Sequence, residues 1–206
     1  MKAHAAICLS TALLTAAIPN VVPTRFSNPA LGCRSWPQNP YMIKVDSADD
    51  AAINNLPVQP FNVIFASQPR PLLAVDLRAS RRIAKQPYIC IDGSPALRSS
   101  VGEKLGIARD RNNAHILVDA PAEKVLRPEL YTHSVDGQQQ EGFYIGVNNQ
   151  TTWGFRYQAA TCNANGALAT SAYYEAKLLG LPQSEDDSAG YEMEFEGFLR
   201  LDERYF

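Results

Sequence analysis

The chain is poor in the residues that most often carry chemistry. It has 4 cysteines, 3 histidines and 2 tryptophans among 206 residues. There is no CxxC pair, and past residue 17 no histidine lies within ligand spacing of a cysteine, so no metal site is predicted. There is no G-x-S-x-G elbow and no glycine-rich phosphate loop, so no cofactor is predicted either. The formal net charge is only −2, which speaks against nucleic acid as a partner, since that calls for a basic surface. No apolar run reaches the roughly 20 residues needed to span a bilayer.

The first residues carry the clearest signal. MKAHAAICLSTALLTAA opens on Lys2, continues as a short apolar run and ends in small residues. Thr15 and Ala17 suit the −3 and −1 positions of a cleavage site, so residues 1–17 read as a secretory signal peptide. The closing LDERYF has neither the apolar tail nor the small-residue site of a lipid anchor. A secreted, extracellular protein is therefore expected. Residues 18–40 are rich in Pro and Asn without apolar period and read as an extended arm. Residues 41–206 are then one domain, long enough to bury a core of its own.

Cys8 leaves with the signal, and Cys33, Cys90 and Cys162 remain. An oxidising compartment favours one disulfide and leaves one thiol over. Cys90 sits in the strand-like YICID and behaves as a small buried hydrophobe. Cys33 and Cys162 lie in turn-rich LGCRSWP and TCNANG, so they are the candidate pair. Asn149-Gln150-Thr151 is a glycosylation sequon in a polar loop, with Asn149 as the acceptor.

Most of the domain reads as short β runs separated by turn residues. They cover 41–45, 61–67, 72–77, 88–92, 114–119, 130–135, 142–147, 153–159, 171–179 and 191–201. Runs 61–67 and 72–77 flank Pro69-Arg70-Pro71 and read as a hairpin. Runs 142–147 and 153–159 flank NNQTT and read as another. Residues 94–106 read as a short helix, and 122–127 as a weaker one stopped by Pro128. This pattern predicts an all-β fold, an antiparallel sandwich or barrel of about 8–10 short strands with at most one or two short helices.

The run 191–201 alternates most cleanly. Tyr191, Met193, Phe195, Leu199 and Leu201 share one face; Glu192, Glu194, Glu196, Arg200 and Asp202 share the other. A row of glutamates suits a cation or the carboxylate pair of a glycoside hydrolase, but it is also what a solvated strand face looks like, paired across the sheet with basic side chains such as Lys177. Arg78, Arg81, Arg82 and Lys85 form a basic cluster that suits a sulfated or phosphorylated polymer, or acidic loops such as Asp46, Asp49 and Asp50. Phe143, Tyr144, Trp153, Phe155 and Tyr157 suit either a sugar platform or core packing. On the core reading, Tyr144, Tyr173 and Tyr174 are the residues left for an exposed binding role.

His133 in THSVDG has Ser134 and Asp136 beside it, but neighbours in a strand point to opposite faces, so no triad is predicted. His115 opens an apolar strand and reads as structural. Two functions stay open: a non-enzymatic extracellular or cell-surface protein that binds a glycan or another protein, and a small secreted polysaccharide hydrolase working with Glu192, Glu194 and Glu196.

Overall fold

The computed structural model describes residues 20–26, 41–65, 68–77, 87–91, 94–97, 104–110, 114–120, 125–162, 168–182 and 193–202. The signal segment, Cys33, most of the N-terminal arm, the basic cluster at 78–85, Tyr191 and Glu192 lie outside them. The fold is all-β and antiparallel. Sixteen strands and one 3-10 turn, Ala51–Ile53, are formed among the described residues. The strands are β1 (Val21–Arg25), β2 (Met42–Asp46), β3 (Val58–Phe65), β4 (Gln68–Asp76), β5 (Tyr88–Ile91), β6 (Ser94–Leu97), β7 (Lys104–Arg109) and β8 (His115–Ala120). They continue with β9 (Glu129–Val135), β10 (Gln138–Gln139), β11 (Phe143–Gly146), β12 (Thr152–Gln158), β13 (Thr161–Cys162), β14 (Leu168–Thr170), β15 (Tyr173–Leu178) and β16 (Phe195–Asp202).

One 12-stranded sheet organises them, in the order β1-β9-β11-β16-β12-β15-β4-β3. Strand β2 joins β16, and the β7–β8 pair joins β15. The sheet curls until Pro57, just before β3, bridges Lys44 of β2, but it does not close. Two small pairs, β5–β6 and β13–β14, stand apart. Cys90 lies in β5 and Cys162 closes β13.

Three local readings are corrected. Residues 94–97 and 104–106, read as helix, belong to β6 and β7, and Leu126 bridges Ile107 rather than turning in a helix. Leu105 and Ile107 gain full burial by pairing with β8, and that burial outweighs weak helical propensity. Pro69 and Pro71 lie inside β4 opposite Ile64 and Asn62, not in a turn. Among the described residues this part of β4 has a ladder with β3 alone, and prolines are tolerated where the missing N–H faces no ladder. The third correction concerns 142–159. Strands β11 and β12 are not paired with each other. Both run antiparallel to β16 on the same edge, β11 opposite Leu201 and Arg200, β12 opposite Phe198 to Phe195. They are one strand interrupted by an excursion around the Val147–Gln150 turn.

In β16 the alternation becomes two environments. Leu199 and Leu201 are buried in the main core with Trp153, Phe155, Ile43 and Leu73, and half-buried Phe195 packs against that core. Gly197 is required there because a Cβ would come within 2.8 Å of the Ala48 backbone. Glu194 and Glu196 are exposed on the opposite face. Leu199→Ala should therefore cost about 2–5 kcal/mol, with Phe195→Ala below it, whereas Glu194→Gln should stay within about 0.5 kcal/mol. Urea titration of the three variants checks the order.

Candidate functional site

One residue of β16 breaks its polar face: Phe198 points outward with Glu196 and Arg200, yet is 3% exposed. It is covered by a second apolar cluster with Tyr131 of β9 and Tyr144 of β11. His133 of β9 completes this cluster and is 1% exposed. Its ring stacks on Tyr144 with centroids 3.6 Å apart and an interplanar angle of 6°, and meets Phe198 edge-on at 4.7 Å. Its Nε2 is hydrogen-bonded to the Thr151 hydroxyl at 3.0 Å. Burial pushes the His133 imidazole down to about 4, so it is neutral at physiological pH. Ser134 lies on the other face of β9 and Asp136 is exposed in the turn that follows, so neither joins His133 in a triad.

Above this aromatic floor lies a concavity of about 360 Å³. Asp46, Ser47, Gln140, Glu141 and Arg200 supply its polar lining, and Val21 and Val135 its apolar edge. The Tyr144 hydroxyl donates to Asp46 Oδ2 at 3.1 Å, and Arg200 Nη1 lies 3.8 Å from Asp46 Oδ1. Burial, with the Asp46 charge adding to it, pushes the Tyr144 phenol up to about 12, so it stays a donor. Ser47 has φ 50°, an uncommon backbone conformation for serine, as the chain turns sharply past Gly197. The result is a fixed carboxylate, a guanidinium and an amide grouped at the mouth of one concavity.

The sequence-derived candidates are scattered around this site rather than in it. Glu194 accepts from the Tyr157 backbone N–H at 3.3 Å, and Asp49 and Glu196 exchange two hydrogen bonds through the Asp49 carboxylate and the main chain. Neither Glu194 nor Glu196 lines the concavity over His133. Trp153 and Phe155 are core, as expected, but Tyr157 is 43% exposed. Tyr144 and Tyr173, read as exposed, are both buried, because the outward face of the sheet is covered at each of them. Tyr174 is half-buried. Asn149 is exposed at the tip of the Val147–Gln150 turn, where it and Asn148 have φ 62° and 51°. The turn is pinned from β9: Asn149 N–H donates to the Tyr131 hydroxyl at 2.8 Å and Asn148 N–H to Glu129 at 3.2 Å.

A second polar cluster lies on the outward face of β15. Lys177 is 3% exposed, with its amine 3.6 Å from Asp110 and 3.7 Å from Glu175, rather than beside the glutamates of β16. Burial raises the Glu175 carboxyl, partly offset by the Lys177 charge. His115 is buried nearby and is lowered by burial and then by Arg109.

No local pattern in the sequence groups Asp46, Arg200 and Phe198. The signal available was Phe198, a large apolar side chain in the polar phase of an alternating strand. Among the described residues no helix is long and apolar enough to cross a membrane, and no group of three or more potential ligands is placed to hold a metal. No protein-family model matches the chain, and no curated protein does either.

Proposed function

We propose that the protein is an exported, non-enzymatic extracellular binding protein, and that the concavity over His133, Tyr144 and Phe198 holds its ligand. The observation that carries this reading is the convergence of Asp46, Glu141, Gln140 and Arg200 on one aromatic-floored hollow. Its volume is at the small end of the roughly 300–1,000 Å³ typical of ligand sites. That suits a small hydroxyl-rich unit, such as a glycan end, better than a protein surface, which needs about 800 Å² per partner. Mixed donors and acceptors meet the hydroxyls, and the ring edges meet the apolar sugar carbons.

Titration against a glycan panel tests this. At least one glycan should bind, and Arg200→Ala or Glu141→Gln should weaken it tenfold or more, about 1.4 kcal/mol. Glu194→Gln, outside the hollow, should leave the affinity unchanged. A panel with no binder, or variants that bind normally, would sink the reading. Hydrolysis of a bound glycan would promote the carboxylate-dependent alternative, with Asp46 and Glu141 as its acids, because both line the hollow.

Export, a Cys33–Cys162 bridge with Cys90 reduced, and glycosylation of exposed Asn149 belong to the same proposal. Sequencing and non-reducing peptide mapping of the secreted protein should find the N terminus past Ala17 and Cys33 linked to Cys162. A retained Met1, or Cys90 in the bridge, counts against the corresponding part.

A further inference from the structure

The cluster at Lys177 has the parts of a reaction rather than of an ion pair alone. Tyr173, Glu175 and Lys177 alternate onto one face of β15, with Tyr173 in an apolar cluster with Phe61, Leu72 and Ala74. Lys177 lies opposite Ile116 of β8, and Asp110 follows β7 beside the start of β8. The Lys177 amine is therefore 3.6 Å from Asp110 Oδ2 and 3.7 Å from Glu175 Oε2. The other Asp110 oxygen, Oδ1, accepts the Ala114 N–H at 2.9 Å.

We propose that Lys177 and Asp110 condense to an intramolecular amide, with Glu175 carrying the proton. In the reacting pair one proton passes from the amine to Asp110 Oδ2, which frees the nitrogen lone pair. The neutral amine is the nucleophile. Its nitrogen attacks Cγ of Asp110, and the backbone N–H of Ala114 stabilises the charge that grows on Oδ1. Glu175 takes a proton from the nitrogen and delivers it to Oδ2. The Cγ–Oδ2 bond breaks and that oxygen leaves as water. One N–C bond forms, one C–O bond breaks, one water is released, and nothing is oxidised or reduced.

Three further features support the assignment. Fixed apposition of the two groups replaces a bimolecular encounter. Burial raises the Glu175 carboxyl, with Asp110 adding to the rise, as a proton carrier requires. Asp110 is 14% exposed, which opens a path for the water to bulk solvent. The product buries an amide where an ion pair stood.

The test is the intact mass of the full secreted protein after reduction, with its N terminus fixed by sequencing. The chain should be lighter than its composition requires by one water. Trypsin acting on the denatured chain should fail to cut after Lys177, and a branched peptide should join Asp110 to Lys177. K177R, which keeps the positive charge but cannot condense, should have the full mass. E175Q should also have it, with Lys177 and Asp110 both still present. A wild-type protein at full mass that trypsin cuts after Lys177 overturns the proposal, whether or not the variants fold. An E175Q chain that still loses water overturns the role given to Glu175. Neither outcome bears on ligand binding at the hollow.

Discussion

Replacing Trp153 with alanine is expected to remove about 3–5 kcal/mol of stability, the range for a large aromatic lost from a packed core. Trp153 lies in β12 and is fully buried. Its indole N–H donates to the Ile145 carbonyl at 2.9 Å. Ile145 is where β11 has already left β16, whose register with it ends at Tyr144 and Arg200. The indole thus replaces a missing ladder bond, and truncation adds an unsatisfied carbonyl, about 1–3 kcal/mol, to the cavity. Trp153→Phe keeps most of the volume and loses the donor, so it should fall between wild type and Trp153→Ala. Urea unfolding monitored by circular dichroism checks the series. A Trp153→Ala variant within about 1 kcal/mol of wild type would mean the core is not built as described.

Acid should weaken the protein through His133. The imidazole has an ordinary value of 6.5 in the unfolded chain and about 4 in the fold. Between those values the unfolded state binds more protons, so stability falls as pH falls through the window and the loss levels off below about 4. The shift corresponds to about 3 kcal/mol for this fully buried ring. His115, also lowered, acts in the same direction. Glu175, raised, acts in the opposite one, because its folded carboxyl holds a proton longer than the unfolded one. The comparison that isolates His133 is therefore wild type against His133→Gln, which retains a polar group to meet Thr151. The variant should lose about 3 kcal/mol less than wild type on going from neutral pH to about 4. Equal losses would show that the ring titrates as it does in water.

Strand existence and facing were legible in the sequence wherever apolar and polar residues alternate, as in β16, or where turn chemistry is explicit. Asp136-Gly137 is such a turn: both residues have positive φ, and β10 folds back on β9. Partners were not legible. Strand β16 takes its neighbours from 42–46, 143–144 and 152–155, and no local pattern states such pairings. Tight turns were misleading for the same reason. Asn148-Asn149 favours a reversal, and one forms, but β16 lies alongside and the chain resumes its course in β12. The hollow was hidden because its residues are each unremarkable in their own strands. Asp46, His133, Tyr144 and Arg200 meet only through the order β9-β11-β16 with β2 alongside.

The central place of β16 also bears on how the chain reaches its native state. Strand β2 pairs Met42 with Asp202 and Asp46 with Phe198, so the first strand after the arm waits for the last described one. Closing that span is entropically unfavourable until many distant contacts form together, and such topologies fold slowly. The two halves of the sheet, β1-β9-β11 and β12-β15-β4-β3, meet at β16. A chain emerging N terminus first would present open strand edges until residues 195–202 follow. The sheet should therefore form only once residues 195–202 have been made, and a chain stopping short of them should expose edges open to pairing with other chains.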